Sequence, residues 1–327
     1  MTVRDLRTIA GSRLPTEDTP MPGTAPLDDA ARTAPLDDAA LAASLDGGFT
    51  SRHADVGGIR LHYVEGGDPA GAPLVLLGGW PQTWWQWRKV LPDLARRYRV
   101  IAVDLRGMGG SAKPEGGYDK KTLARDVHGL LGRLGIASAH VVGHDIGAMV
   151  AYAFAANHPE ATRKVALLDV AHPHEGWAAM PLLPREDLRH LWWFAFNQVH
   201  GLPEQLLAGR SRILLDWLFG AMTTRREDID EHARAVYARA YDTPEAIRAG
   251  NDWYRAFRQD IADLATYAPV TAPLLALGGE HSNHRSLVAD VPALGTDTRV
   301  VRIDDSGHYL PEENPQAVVE ELTRFLG

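Results

Sequence analysis

The sequence predicts an α/β protein: a mostly parallel, doubly wound sheet carrying an inserted all-helical cap. Short continuous apolar runs alternate with helical patterns over residues 59–168. A block dense in aromatic residues and without strand patterns follows at 175–267, and two further strand signals and a helix close the chain. Runs such as Leu74-Val75-Leu76-Leu77 are apolar on both faces, as strands of a sheet covered on both sides must be.

The elements follow in order. Alternation over 59–65 predicts a half-buried strand, and 74–77 is the first buried one. A helix is expected over 87–98, a strand at 100–103, a helix over 121–134, a strand at 140–142, a helix over 148–158 and a strand at 165–168. Helical periodicity then continues alone, at 188–198, 204–221, 226–241 and 244–257, which places a cap over one edge of the sheet. Strands at 273–277 and 298–303 and a helix over 316–325 complete the sheet and its cover. The core is therefore expected at 48–174 and 268–327, with the cap at 175–267.

Residues 1–47 read differently. They contain a tandem repeat, Thr24-Ala25-Pro26-Leu27-Asp28-Asp29-Ala30-Ala31 and again Thr33 to Ala40, with no aromatic residue before Phe49. This composition predicts a flexible acidic extension with a short helix at 38–45. A formal charge of -8 and a pI near 5.9 argue against nucleic acid or an anionic membrane as partner, and favour a small neutral molecule. No apolar run approaches the length needed to span a bilayer, and the N-terminus lacks a signal-peptide core, so a cytoplasmic protein is expected. The chain has no cysteine, and nothing in it opposes a homodimer.

The chemistry centres on Gly143-His144-Asp145-Ile146-Gly147, directly after an apolar strand. A Gly-x-nucleophile-x-Gly turn from strand to helix exposes its central side chain above the sheet. Here that side chain is a carboxylate, which displaces leaving groups from saturated carbon and forms an ester that water later cleaves. Epoxides and alkyl halides are thus the expected substrates. Asp169 follows the next buried strand, and His308 stands in Asp305-Ser306-Gly307-His308-Tyr309, so nucleophile, acid and histidine occur in an order known from esterases of related architecture. His308 would activate water, with Asp169 holding its other N–H. Glu280, after the strand at 273–277, is the alternative acid.

Four segments in order, Gly78 to Arg88, Asp104 to Ser111, the aspartate turn and the histidine turn, resemble the epoxide hydrolase branch of the α/β-hydrolase superfamily, from about residue 53 to the end. The resemblance implies that the Trp80 and Ile146 backbone N–H groups form an oxyanion hole. Gly78 replaces the family's usual histidine, so loop packing is expected to differ there. It also implies that Tyr241 donates to the opening oxygen, with Tyr237 one helical turn away and Trp192 and Trp193 standing where relatives carry a donor histidine. Trp80, Trp84, Trp85 and Trp87 crowd one loop, and Trp85 is the expected aromatic wall of the pocket, with Met149 beside the nucleophile. Such a wall suits a bulky aryl or polyketide-like epoxide, and the resemblance is nearest to hydrolases of bacterial aromatic-polyketide pathways.

Hydrolytic dehalogenation shares the first displacement. Haloacetate dehalogenases of this family place arginines one and four positions after the nucleophile, where this chain has Ile146 and Met149, and haloalkane dehalogenases place a tryptophan at the first of these. Other hydrolytic or lyase chemistry, or a noncatalytic small-molecule binder with the same fold, are further alternatives. No cofactor and no metal are expected: His172-Pro173-His174 and His281-Ser282-Asn283-His284 lack a convincing third ligand, and Gly107-Met108-Gly109-Gly110 lacks dinucleotide-binding spacing.

Overall fold

A computed structural model describes residues 36–180 and 191–327. Its strands are β1 (Thr50–Val56), β2 (Ile59–Gly67), β3 (Ala72–Leu77), β4 (Tyr98–Val103), β5 (Ala139–His144), β6 (Thr162–Leu168), β7 (Leu274–Gly279) and β8 (Thr298–Ile303). They form one sheet in the order β1-β2-β4-β3-β5-β6-β7-β8, antiparallel at β1-β2 and β2-β4 and parallel thereafter. The central strand β5 is buried over its whole length and β3 over its last four residues, because helices cover both faces.

The helices are α1 (Asp38–Ala43), α2 (Leu91–Leu94), α3 (Lys120–Arg133), α4 (Ile146–Asn157), α5 (Trp192–Gln198), α6 (Leu202–Leu207), α7 (Ser211–Met222), α8 (Glu231–Ala240), α9 (Pro244–Arg255), α10 (Phe257–Leu264), α11 (His284–Asp290), α12 (Leu310–Glu313) and α13 (Pro315–Leu326). From α5 to α10 no strand intervenes, so this is a helical insertion between β6 and β7. Buried polar ties fasten it to the core: Lys120 Nζ, fully buried, reaches Asp260 Oδ2 at 2.7 Å and the Trp253 carbonyl at 2.6 Å, and the Trp253 indole donates to the Arg106 carbonyl.

Several expectations change. The single helix expected over 87–98 is a 3-10 turn at Trp84–Trp87 and the short α2, because Pro92 has no N–H and fits only a first helical turn. The helix expected over 204–221 breaks at Gly209, whose φ of +72° suits glycine and whose N–H turns to the Asp242 carbonyl. Strand β1 was hidden by its polar, mostly exposed edge position. The beginning of the helix expected over 188–198 lies outside the described residues.

The core also starts earlier than residue 48. Helix α1, capped by the Asp37 side chain, buries Leu41 and Ala42. Asp38 accepts the Trp84 indole N–H at 2.7 Å, beside the buried pair of His62 Nδ1 and Asp104 Oδ2 at 2.7 Å. Leu41→Ala is expected to cost about 2–5 kcal/mol in denaturant unfolding, as core truncations do. A loss within about 0.5 kcal/mol would mean that α1 is a loosely attached surface segment.

Candidate active site

Asp145 sits between β5 and α4 with φ 53° and ψ -121°, a strained conformation that lifts its side chain off the strand. The flanking glycines are sterically required. A Cβ on Gly143 would lie 2.0 Å from the Gly147 carbonyl oxygen, and one on Gly147 would lie 2.1 Å from that of Leu77. Gly79 lies under the carboxylate itself, its ideal Cβ only 2.4 Å from the Asp145 Cβ.

The Trp80 N–H donates to Asp145 Oδ1 at 2.9 Å, and the Ile146 N–H also bonds the carboxylate. The two backbone donors implied by the resemblance thus both reach the Asp145 carboxylate. The loop carrying Trp80 is held by Gln86, whose Oε1 accepts the Gly79 N–H at 3.0 Å beside Gly78, and by Asp104, which accepts the Trp84 N–H at 2.8 Å. Gln86 is the local packing that accompanies glycine in place of the family's histidine.

His308 Nδ1 donates to Asp169 Oδ2 at 2.7 Å, and its Nε2 stands 3.6 Å from Asp145 Oδ2. Asp169, fully buried at the end of β6, also accepts from Gly279 N, Ser282 Oγ and Asn283. Glu280 instead accepts the Asp305 N–H and pairs with Arg302, away from the histidine. Burial works against the imidazolium, but its polar contact with Asp145, its hydrogen bond to Asp169 and the charges of both outweigh it and push His308 up to about 9. Burial likewise opposes the Asp145 carboxylate, yet the His308 bond and charge hold it below the usual carboxylate range.

Two residues that the sequence reading passed over fix the histidine loop. Glu313 accepts N–H groups from Gly307 and Tyr309, on either side of His308, each at 2.8 Å. His144, pushed down to about 4 by burial and by His308, is neutral and donates Nε2–H to the His308 carbonyl at 2.8 Å. Their signal lay in the sequence: an acid five positions after the histidine, and the histidine beside the nucleophile.

Tyr241, Tyr254 and Trp193 of the helical insertion are buried, and both tyrosines feel the charge of Asp145. Tyr241 donates to the Gln82 carbonyl at 2.9 Å. The Tyr254 ring meets Trp80 edge-on at 5.3 Å, and its hydroxyl is hydrogen-bonded to Trp193. Both hydroxyls are held well above their ordinary range by burial first; Asp145 is the largest charge acting on Tyr254, and Asp104 followed by Asp145 act on Tyr241. Tyr254 was missed because one aromatic among many on an amphipathic helix carries no local mark.

Other candidates are placed elsewhere. Trp192 turns onto Phe196 and Trp217, with ring centroids at 5.6 and 5.3 Å. Tyr237 donates to Glu312 Oε1 at 2.6 Å in a buried cluster with Arg88, which also reaches Asp230, so it ties cap to core. Trp85 packs on His232 and Arg88, and Trp80 is the loop tryptophan that faces the site. Met149, one turn into α4, is buried in the core and brings no polar group. The 172–174 pair joins no grouping of potential metal ligands, whereas His281 gains Glu280 and Asp305 as neighbours; the other such groupings among the described residues are at His128, His158 and Glu160, and at Asp38, His62 and Asp104. No helix among those residues is long and apolar enough to cross a membrane.

A family model described as the alpha/beta hydrolase fold matches residues 72–315. The chain belongs to the α/β-hydrolase fold family. A soluble epoxide hydrolase of Corynebacterium sp. (strain C12) is 34% identical over 289 residues, covering 85% of this chain and 97% of the relative. The solved structure of the epoxide hydrolase CorEH superposes with a TM-score of 0.77 at 32% identity, over 85% of this chain and 98% of that one. A fluoroacetate dehalogenase of Burkholderia sp. is 30% identical, covering 85% of this chain and 94% of the relative. The resemblance to the epoxide hydrolase branch, read from the four motifs, is borne out by these relatives.

Proposed function

We propose that this α/β-hydrolase opens an epoxide to a vicinal diol through an ester on Asp145, and that its substrate is bulky and aromatic. The observation that carries the reading is the joint geometry at Asp145: a part-buried carboxylate on backbone donors, a histidine–aspartate pair at its other oxygen, and two buried tyrosines near enough to feel its charge.

In the first step an Asp145 oxygen attacks an epoxide carbon and the ring C–O bond breaks. Its electron pair stays on the oxygen, which takes a proton from Tyr241 or Tyr254. In the second, His308 removes a proton from water and the hydroxide attacks the ester carbonyl. The oxyanion is held by the Trp80 and Ile146 N–H groups. Collapse expels the diol oxygen, which takes the second proton of the added water as the carboxylate is restored, and the proton on His308 returns to the tyrosinate. The charge balance assists the order of events: esterification removes the Asp145 charge that helps raise His308, so the imidazole becomes a stronger candidate to lose its proton and act as base once the ester exists.

Both tyrosines are expected to matter. Tyr241→Phe and Tyr254→Phe should each lower kcat/KM for epoxides by about 10- to 1000-fold, as loss of a general acid does, and the double variant should fall further. A single variant at wild-type activity would remove that residue from ring opening.

Dehalogenation has a relative to support it, but the apolar Ile146 and Met149 leave no guanidinium for a haloacid carboxylate at those positions. The reading is tested by mass spectrometry of His308→Gln incubated separately with styrene oxide and a bromoalkane. An Asp145 adduct from the epoxide alone is expected. An adduct from the bromoalkane alone would assign dehalogenase chemistry instead.

A further inference from the structure

Two asparagines inside the cap carry amide atoms with no hydrogen-bond partner among the described residues. Asn197 is fully buried and neither Nδ2 nor Oδ1 is paired; Asn251 is buried and its Nδ2 is unpaired. A buried amide left without a partner destabilises a fold, whereas leucine of similar size would not. Such groups are retained where something else occupies them.

Both lie on helices that carry site residues. Asn197 is one turn beyond Trp193 on the same face of α5, and Trp193 is bonded to the Tyr254 hydroxyl. Asn251 follows Gly250, where an ideal Cβ would lie 3.0 Å from the Trp80 indole nitrogen and 3.2 Å from the Tyr241 ring, and it precedes Tyr254 by one turn of α9. Helices α5 and α9 pack on each other.

We propose that Asn197 and Asn251 form a polar subsite that binds an uncharged carbonyl or hydroxyl group of the substrate, apart from the groups that act on its epoxide. The proposal rests on the epoxide hydrolase reading and narrows its substrate class to oxygenated epoxides. Primary amides offer one donor and one acceptor edge and no charge, which matches a ketone or alcohol. A carboxylate there would need a buried cation, and the Lys120 ammonium is already held by Asp260 and the Trp253 carbonyl.

The test compares phenethyloxirane with its para-acetyl and para-hydroxy derivatives, in which two methylenes insulate the epoxide from the ring substituent. The wild type should prefer an oxygenated member in kcat/KM, and Asn197→Leu should reduce that preference by about tenfold or more. Asn251→Leu should reduce it as well, and thermal unfolding of both variants should show no loss of stability, since an unpaired amide is removed. Calorimetric binding of the corresponding diols reads the same preference without turnover and so separates the two claims. Turnover with a preference that neither variant moves overturns the subsite. No turnover, with the diol preference present and lost in Asn197→Leu, overturns the hydrolase reading and keeps the subsite.

Discussion

Asp145→Asn should lower epoxide turnover by about 10⁴-fold or more while leaving the fold intact. An amide cannot displace an epoxide carbon, and removal of a residue on which every later step depends has effects of this size. Asparagine has the same shape as aspartate and, more than other side chains, tolerates positive φ, so the strained turn at φ 53° survives. The substitution has a second readout independent of activity. The polar contact with Asp145 is the largest influence raising His308, which lies at about 9, so in the variant the imidazole should titrate at a lower pH by NMR. Retained turnover would make the carboxylate dispensable; an unmoved histidine titration would mean that the two groups do not interact.

His308→Gln should stop the cycle halfway. The displacement needs only the carboxylate and the tyrosines, so one equivalent of epoxide should be consumed per enzyme, after which steady-state turnover falls by about 10⁴-fold. The same residue gives stability a pH dependence. Its pKa is raised in the folded state from 6.5 to about 9, so the stabilisation is fully present below 6.5 and is lost as pH rises through 9. The wild type should therefore lose up to about 3 kcal/mol across that interval, and His308→Gln should lack this slope. A variant that turns over without a burst, or whose unfolding keeps the wild-type slope, would place the base elsewhere.

The catalytic core was legible in the sequence because its constraints are local. A continuous apolar run, two glycines and an aspartate specify a strand-to-helix turn whatever surrounds it, and the Gly143 and Gly147 contacts show why no larger residue fits. Asp169 and His308 followed from chain order, since Asp169 stands directly after β6 and His308 in the turn that follows β8, and the structure joins them at 2.7 Å. The cap was legible as helices but not in its assignments. Which face of an aromatic-rich helix looks inward depends on how helices pack, so Trp193 and Tyr254 reach the site while Trp192 and Tyr237 are drawn to Trp217 and Glu312. Helix α1 was read as part of a flexible segment for a similar reason: its composition resembles disorder, and only the tertiary contacts of Leu41 and Asp38 bring it into the core.

The ester on Asp145 is the central claim, and a single turnover in ¹⁸O-labelled water tests it most directly. With enzyme in excess over epoxide, the oxygen added to the substrate should come from the Asp145 carboxylate. The first diol should then be unlabelled and the ¹⁸O should appear in the peptide containing Asp145. A labelled diol with an unlabelled Asp145 would show that water attacks the epoxide directly and would contradict covalent catalysis by this residue.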